Sequence, residues 1–413
     1  MKKKIFWIVV IGVLVRIFLA ISTFHSDIQP FYFAGEVITK GYVLNFYDYL
    51  GNLPATDEIL KIYPTNLFNY PPIVYFSLGP ISYFLSLPFS RELLHNFIFN
   101  IPSLLGNPQF NLLLGVLKTS YIPFDIAIGL LLYSLFKEPK NKLLALGLWV
   151  FNPVNLFATY MMGQFDIIPA FLTVLALFLA VKKNKLLLPA FLLGLGASFK
   201  IFPVLFLIPL ALLREKWVDR FKVTGIGIGA YILTILPFLG SSGFRSSALV
   251  AQQTTKSFYA SLPISGGESI VIFPLLVIFF YLIFLYSRTT LENLWNRFFI
   301  MILLFFIFTH YHPQWFTWLT PFLIIDLVKS RLRHWPLVFV SLVSWLGLVT
   351  FFDPGLSTRL FAPIAPSLQG ALGVWDSLGI NFDLNASRSI LHTIFVSAAV
   401  YYIYHYFPRE TKA

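Results

Sequence analysis

Apolar residues fall in long runs along the chain, and short polar segments separate these runs. Residues 5–24, 271–286 and 298–308 contain almost no charged side chains. A helix needs about 20 mainly apolar residues to cross the hydrocarbon core of a bilayer, and fewer when it is short or its flanks reach to the surface. Because backbone polar groups must be hydrogen-bonded within the segment inside lipid, the runs predict membrane-spanning helices.

The short segments between the runs indicate the orientation of the spans. Residues 2–4 are all lysine, and each later inner segment again carries lysine or arginine, as is typical of cytoplasmic loops. Arg409 and Lys412 give the C-terminus the same character. With both termini cytoplasmic, we predict about twelve spans, at residues 5–24, 112–136, 143–160, 166–181, 186–199, 201–213, 223–239, 269–287, 298–309, 315–328, 336–352 and 389–405.

The longer connecting segments all fall on the outer side of the membrane in this arrangement. They are residues 25–110, 240–268 and 353–388. Residues 71–89 are apolar enough to span, but their prolines and aromatic residues favour a helix that lies on the outer leaflet. We therefore predict an all-α, polytopic membrane helix bundle, in which a large first extracytoplasmic loop bears juxtamembrane helices.

The composition supports this fold class and excludes several kinds of functional site. The chain is 57% hydrophobic and only 12% charged, whereas soluble domains carry about 25% charged residues. It contains no cysteine, which excludes disulfides, thiolate metal sites and cysteine nucleophiles. The net charge of +12 is mostly the charge of the inner loops, so nucleic acid is not indicated as a partner. The first run ends without a small-residue cleavage site, which favours a retained span over a signal peptide.

Acidic residues beside aromatic ones mark the first outer loop. Asp27 directly follows the first predicted span, and ionisable residues at membrane depth are functional hypotheses by default. Asp48 and Tyr70 lie in aromatic segments of the same loop. Flat aromatic faces stack on sugar rings and carboxylates accept hydrogen bonds from hydroxyls, so this combination indicates a sugar site. The alternatives are a solvated boundary residue for Asp27 and an interfacial belt for the aromatic residues.

Two further candidates lie between later spans. Gln164 precedes a predicted span and Asp166 opens it, where Asp166 could act on a sugar or merely cap the helix. Lys200 separates two short apolar helices, and a lysine there is costly unless it meets an anion. A phosphate group suits its compact charge. The alternative for Lys200 is a side chain that extends to the lipid head groups.

Histidines mark the turn between the ninth and tenth predicted spans. His310 and His312 precede Trp315 on the outer side, within a segment that also contains Tyr311. We interpret the histidines as phosphate-binding groups, with an ordinary interfacial turn as the alternative. A metal site is not indicated, because the segment offers no third ligand nearby.

These segments together resemble the GT-C superfamily of membrane glycosyltransferases, and most of all the bacterial mannosyltransferases that use polyprenyl-phosphate mannose. The resemblance covers residues 1–325, as one catalytic transmembrane region, and residues 326–413 match nothing in it. It depends on the order and shared outer placement of Asp27, Phe46 to Asp48, Tyr70 to Pro72, Asn152 and Pro153, Gly163 to Asp166, Lys200 to Pro203, and His312 to Trp315.

The resemblance implies an inverting transfer of a hexose, most simply mannose, from a polyprenyl-phosphate sugar to a hydroxyl of a glycan or lipid-linked acceptor. Asp27 would be the general base, Lys200, His312 and His310 would hold the donor phosphate, and no cofactor would be required. Asp48 and Asp166 would orient sugar hydroxyls, and Gln164, Tyr70 and Trp315 would line the site. Some members of the superfamily carry paired acids, but Ser26 precedes Asp27 here, so a metal is not indicated.

Two other classes of membrane protein stay open at this point. A transporter or flippase of lipid-linked sugars would be expected to carry charges in mid-span and to have two related halves. Arg16, Lys118 and Asp125 are the charged residues set well inside predicted spans, and no repeated half is visible. The other class is an O-antigen ligase or polymerase.

Overall fold

A computed structural model describes residues 1–62, 68–249, 255–310 and 312–408 of the chain. Arg409, Lys412 and Tyr311 lie outside these residues. The described chain is mostly α-helical. The α-helices are α1 Lys2–Ser22, α2 Gln29–Thr39, α3 Phe46–Gly51, α4 Glu58–Ile62, α5 Pro72–Ser86, α6 Arg91–Phe99, α7 Pro108–Thr119, α8 Ile122–Leu135, α9 Pro139–Val150, α10 Pro153–Asn155, α11 Ile167–Lys183, α12 Leu187–Phe199, α13 Leu207–Ala211, α14 Trp217–Ile235, α15 Ser242–Phe244, α16 Ile272–Tyr286, α17 Leu294–Phe308, α18 Thr320–Lys329, α19 Trp335–Thr350, α20 Val374–Ser377 and α21 Leu384–His405.

Shorter elements connect these helices. The 3₁₀-helices are Ser26–Ile28, Ile101–Leu104, Phe202–Phe206, Leu236–Phe238, Lys256–Phe258, Pro313–Trp318, Pro354–Leu356 and Pro366–Gly370. Leu156–Met161 and Arg245–Leu249 are π-helical. The strands β1 Ser261–Pro263 and β2 Ser269–Val271 pair antiparallel, with Leu262 opposite Ile270. This exposed hairpin lies at the end of the predicted outer loop 240–268, and in the described residues it departs from the all-α prediction.

Length and composition identify fewer complete spans than the twelve predicted. Within the described chain, Lys2–Ser22, Pro139–Met161 and Trp217–Phe238 are long and apolar enough to cross a membrane, and α7 with α8 forms a fourth, bent candidate. Several other apolar helices, such as α12, α16 and α17, have 13 to 15 residues. The protein is thus a helical membrane protein, and the number of its spans stays a prediction.

Local chemistry bends one predicted span and interrupts the regular α-helix of a second, which still forms the single candidate span Pro139–Met161. Residues 112–136 form α7 and α8, which meet at an angle of 42°, because Pro123 opens a new helix one turn after α7 ends. Residues 143–160 likewise do not form one regular α-helix, because α9 ends just before Asn152. Its side chain accepts hydrogen bonds from the backbone N–H groups of Val154 and Asn155 and so starts a new turn.

The core surrounds one central helix. Helix α17 is buried from Leu294 to Phe306 except at Asn296, and α18 is buried almost as completely. A helix that is apolar all round belongs in an interior or in lipid. In contrast, α1 exposes large apolar side chains such as Leu14, and α14 exposes Leu233. These exposed apolar faces are suited to contact with lipid.

The predicted outer loop 25–110 folds into helices with a small core of its own, between α2, α4, α6 and α7. Helix α5, which corresponds to the ambiguous residues 71–89, packs along α2 and also contacts α7, α12 and α14. Gly35 and Gly79 allow this packing, because a Cβ at Gly35 would lie 2.3 Å from the carbonyl oxygen of Gly79. Helix α5 is therefore integrated into the bundle rather than lying apart from it.

Candidate active site

Asp27 lies in a 3₁₀ turn just after α1, where Gln164 orients its carboxylate and its backbone N–H donates a hydrogen bond to the Nδ1 of His25. The Nε2 of Gln164 donates a hydrogen bond to its Oδ2, and the Nδ1 of His25 lies 3.4 Å from the same oxygen. The Asp27 side chain is 38% exposed. No described group donates a hydrogen bond to its Oδ1. One carboxylate oxygen is thus held and the other is open to a substrate, which suits a base.

Asp166 lies directly before α11 and is fully buried. The helix-cap alternative is not observed, since its side chain makes no capping hydrogen bond. Its Oδ1 instead accepts a hydrogen bond of 2.8 Å from the indole N–H of Trp318, and its Oδ2 has no described partner. A buried carboxylate oxygen without a donor is costly. Asp166 therefore offers an unused acceptor in the interior of the site.

Lys200 lies where α12 ends, inside a group of aromatic rings. Its Nζ is 4.3 Å from the ring centre of Tyr70, 4.8 Å from that of Phe165 and 5.8 Å from that of Trp315. Asp166 and Asp27 are the acids close enough to stabilise its charge. No described carboxylate lies within 4.0 Å of it. The ammonium group is therefore attracted by ring faces and distant acids but is not neutralised by an ion pair.

His312 and His310 lie beside this group, on the turn between α17 and the 3₁₀-helix that carries Trp315. The ring centre of His312 lies 5.4 Å from that of Trp315 and 5.7 Å from that of His310. Burial lowers the pKa of His312 to about 4, and nearby positive charges add to this effect. Burial also lowers the pKa of His310. Both rings are consequently neutral at pH 7 and would offer hydrogen bonds rather than positive charge.

Lys256 and Arg388 were absent from the predicted site, although both face these histidines. Their charges act on His310, and that of Lys256 also acts on His312. Arg388 donates to the carbonyl oxygen of Phe351, and neither cation has a described carboxylate within 4.0 Å. The sequence held a signal for them, because basic residues are unusual in outer loops.

Asp48 does not join this cluster through any described contact. Its Oδ1 accepts hydrogen bonds from the backbone N–H of Gly243, at 2.8 Å, and from the hydroxyl of Ser242, at 3.1 Å. The bond from Gly243 lowers the pKa of the carboxyl group. These contacts tie α3 to α15, so the geometry gives Asp48 a part in holding two outer segments together. Its predicted contact with a sugar stays a prediction.

Lys118 is a fully buried cation that supports the site from behind. Its Nζ donates to the carbonyl oxygen of Thr23 at 2.5 Å and to that of Met161 at 3.0 Å. Thr23 lies four residues before Asp27, and Met161 lies three residues before Gln164. Lys118 thus joins the two backbone segments that bring Asp27 and Gln164 together.

Arg16 and Asp125 form a separate network of buried side chains. The Arg16 Nε lies 2.5 Å from the Asp125 Oδ2, and the same guanidinium donates to the carbonyl oxygen of Val150. Asp125 also accepts hydrogen bonds from the side chains of Trp149, Asn155 and Tyr160. All of these side chains are fully buried. Asp125 is thus saturated with donors, although the Nη2 of Arg16 has no described hydrogen-bond partner. The network holds α1, α8 and α9 together.

The described part of the site offers few side chains that could bind a metal ion. In residues 1–62, 68–249, 255–310 and 312–408, no three His, Asp or Glu side chains lie together in a way that could hold a metal ion. Asp27 has His25 beside it, and the position before it is Ser26. The side chains that meet at the described site are carboxylates, amides, imidazoles and basic groups.

A known protein family matches the middle of the chain. Residues 68–268 match the model of glycosyltransferase family 87, whereas no curated protein matches the chain. The matched stretch contains Gln164, Asp166 and Lys200, and Asp27 precedes it. The resemblance to the GT-C superfamily is thereby confirmed, and the chain is a glycosyltransferase of the GT-C class, related to family 87 over residues 68–268.

Proposed function

We propose that this enzyme transfers a hexose from a polyprenyl-phosphate sugar to a hydroxyl group of a glycan or lipid-linked acceptor, with inversion at the anomeric carbon. Mannose is the sugar that the sequence resemblance favours. The proposal rests above all on one observation. Asp27, which is held by Gln164, lies within electrostatic reach of Lys200, and both side chains are partly exposed.

In the proposed step Asp27 acts as the general base. Its open Oδ1 accepts the proton of the acceptor hydroxyl while the hydroxyl oxygen attacks the anomeric carbon. The bond from that carbon to the phosphate oxygen breaks, and polyprenyl phosphate leaves with the electron pair. Attack from the side opposite the leaving phosphate inverts the anomeric centre. A positioned base of this kind contributes about 10²–10⁴-fold to the rate.

The leaving phosphate is stabilised by fixed positive charge and by hydrogen-bond donors. Lys200 supplies the central charge. His312 and His310 are neutral at pH 7 and act as hydrogen-bond donors. Lys256 and Arg388 extend the positive surface on the far side of the histidines. Such cations favour the product phosphate more than the glycosyl phosphodiester, because the phosphate gains negative charge as the bond breaks.

The sugar ring is bound by unused acceptors and aromatic faces. The Oδ2 of Asp166 and the Oε1 of Gln164 are both buried without described hydrogen-bond partners, and a sugar hydroxyl would satisfy each of them. Tyr70 and Trp315 offer ring faces next to Lys200. We assign the hydroxyl contacts chiefly to Asp166 and Gln164, and the stacking contacts to the aromatic residues.

The proposed setting is the outer face of the cell membrane. In this arrangement about twelve spans cross the bilayer, both termini are cytoplasmic, and the loop 25–110 covers the site. Residues 1–325 form the catalytic region, and residues 326–413 add further spans with the outer loop 353–388. The donor reaches the site from the bilayer, and the acceptor reaches it from the aqueous side.

The test uses the full chain purified in nanodiscs and supplied with radiolabelled polyprenyl-phosphate hexoses. We expect release of polyprenyl phosphate together with a glycosylated acceptor of inverted anomeric configuration, as measured by chromatography and NMR. In a parallel assay with the chain in closed vesicles, movement of intact donor across the bilayer without release of polyprenyl phosphate would instead identify a flippase. A product with retained configuration would contradict the role of Asp27 as a base.

A matched pair of variants controls this assay. Asp27→Asn removes the base but keeps the shape of the side chain, whereas Asp376→Asn changes an exposed acid of the loop 353–388. We expect the first variant to lose transfer and the second to keep it. Equal activity of the two variants at equal folded yield would refute the base assignment.

A further inference from the structure

The bundle has a second polar region at the end opposite the candidate active site. Helix α11 begins next to Asp166 and ends at Lys183, 17 residues further on, which at 1.5 Å per residue is about 25 Å. Helix α17 runs back in the same manner, from Leu294 to Phe308, just before His310. The ends remote from the active site enclose a cavity of about 360 Å³.

The polar wall of this cavity is strongly basic. Arg214, Arg220 and Arg288 line it, and Glu215 is the acidic residue among its lining groups. The Nε of Arg220 donates to the carbonyl oxygen of Arg214 at 2.7 Å, which fixes the two residues side by side. In the described chain, the guanidinium groups of Arg214 and Arg288 have no carboxylate within 4.0 Å. The cavity therefore carries an excess of uncompensated positive charge.

A buried arginine strengthens this charge from behind the wall. Arg297 is 4% exposed, its Nη2 donates to the hydroxyl of Ser287 at 3.0 Å, and its Cζ lies 4.5 Å from the ring centre of Phe284. Ser287 and Phe284 both line the cavity. The Nε of Arg297 has no described hydrogen-bond partner. A guanidinium in this setting has lost its water without gaining an anion, which is costly unless a ligand supplies one.

Apolar side chains complete the enclosure. Leu212, Leu213 and Leu285 line the cavity beside the arginines, and Thr289 adds a hydroxyl group that is buried without a described partner. A ligand that fits has a compact anionic group with several acceptor oxygens. A phosphate group meets these requirements, because guanidinium groups bind its oxygens in paired, charge-assisted hydrogen bonds.

We propose that this cavity is a binding site for a phosphate group, separate from the site of glycosyl transfer. The phosphate would be held by Arg214 and Arg288, with Arg297 supplying charge from behind and Thr289 supplying a hydroxyl donor. Inorganic phosphate and the head group of an anionic phospholipid share this chemistry. The proposal is independent of which sugar, if any, Asp27 helps to transfer.

The experiment measures binding rather than catalysis, so it can succeed or fail independently of the proposed transfer. The full chain in an uncharged detergent is titrated with inorganic phosphate, with phosphatidylglycerol and with phosphatidylcholine, against chloride at equal ionic strength. Thermal unfolding and native mass spectrometry report binding, since a ligand that prefers the folded state raises the unfolding temperature. We expect stabilisation by phosphate or by phosphatidylglycerol, and little by phosphatidylcholine.

Three variants locate the site. The double variant Arg214→Gln with Arg288→Gln changes exposed side chains and should weaken binding roughly tenfold or more. Arg297→Gln should weaken it as well if the variant folds. Arg333→Gln alters an exposed arginine away from the cavity and should leave binding unchanged.

The two ligand sources give different results. Binding of both phosphate and phosphatidylglycerol supports a site for the phosphate group itself, and binding of phosphatidylglycerol alone supports a site for a lipid head group. Wild-type affinity in the double variant, or equal binding of phosphatidylcholine, would overturn the proposal. Absence of binding by all three ligands would overturn it too.

Discussion

The network around Asp125 and the cluster around Asp27 both place charge inside a largely apolar bundle, yet they differ in how that charge is satisfied. Asp125 accepts hydrogen bonds from Arg16 and from three neighbouring side chains. Asp27 and Lys200 are left with unused bonding capacity and are partly exposed. Saturated buried charge holds helices together, whereas unsaturated charge with access to a ligand can act on that ligand. Mutations around Asp125 should therefore mainly lower stability, whereas mutations around Asp27 should mainly lower activity.

The largest expected effect on activity is that of Asp27→Asn. Loss of the base should lower kcat by about 10²–10⁴-fold, because the neutral amide does not accept the acceptor proton. The unfolding temperature should change little, since Gln164 can still pair with the amide oxygen. Steady-state kinetics and thermal unfolding of the same preparation check both expectations. An Asp27→Asn variant with normal kcat would show that the charge around Asp27 does not act on a substrate, and the two regions would then not differ in function.

The matching substitution in the network of Arg16 and Asp125, Asp125→Asn, should chiefly reduce stability. Breaking a buried ion pair typically costs about 3–5 kcal/mol, because the remaining Arg16 is buried without a counter-charge. We expect a lower unfolding temperature and a lower folded yield, with near-normal kcat for the folded fraction. Active-site titration alongside thermal unfolding separates the two. A stable Asp125→Asn variant without activity would place Asp125 in the reaction rather than in the scaffold.

Lys200→Gln tests the charge proposed for the leaving phosphate. Losing one charge-assisted contact to phosphate should lower kcat/KM by roughly 10–100-fold. Lys200→Arg keeps the charge but not the compact head group, so it should retain more activity. Kinetics with a polyprenyl-phosphate sugar, and inhibition by polyprenyl phosphate, report the loss. Unchanged inhibition in Lys200→Gln would argue against phosphate binding by this residue.

Lys118→Met tests a residue that shares features of both regions. Lys118 is fully buried, yet it supports the segments that carry Asp27 and Gln164. As a positioning residue it should lower kcat by about tenfold with little change in KM, since small misplacement of a base is costly. Kinetics of the folded fraction, normalised by active-site titration, measure the effects on kcat and KM separately. A purely structural role predicts unchanged kcat per folded molecule and only a lower unfolding temperature.

The smallest expected effect is on the pH dependence of stability. The pKa of His312 is lowered to about 4 in the folded protein, so below about pH 6.5 the unfolded chain binds more protons than the folded one. Stability should fall as the pH drops from about 6.5 towards 4, by roughly 1 kcal/mol at pH 5 after solvent screening. His312→Asn should flatten this slope, whereas substitution of the exposed His95 should not. Equal slopes in the two variants would contradict the burial of His312.

Sequence alone pointed to most of the residues that the structure brings together around Lys200, because each has a chemical reason to be unusual where it stands. Asp27 and Lys200 are isolated charges at the ends of apolar runs, and the aromatic residues form visible clusters. Lys256 and Arg388 were missed, since their loops lie far apart in sequence and nothing local links them to His310. Asp48 was assigned to the sugar, yet its described hydrogen bonds go to Ser242 and Gly243, a pairing that no local pattern reveals.

The apolar runs by themselves determined that this is a helical membrane protein, because lipid leaves the backbone few other ways to satisfy its polar groups. The short motifs between these runs determined a resemblance to the GT-C glycosyltransferases, which the family match confirms. Only the tertiary structure decided which charges are closed off and which stay open. That distinction depends on contacts between residues more than a hundred positions apart, such as Arg16 with Asp125 and Gln164 with Asp27. Such contacts follow from the packing of whole helices and leave no trace in local sequence.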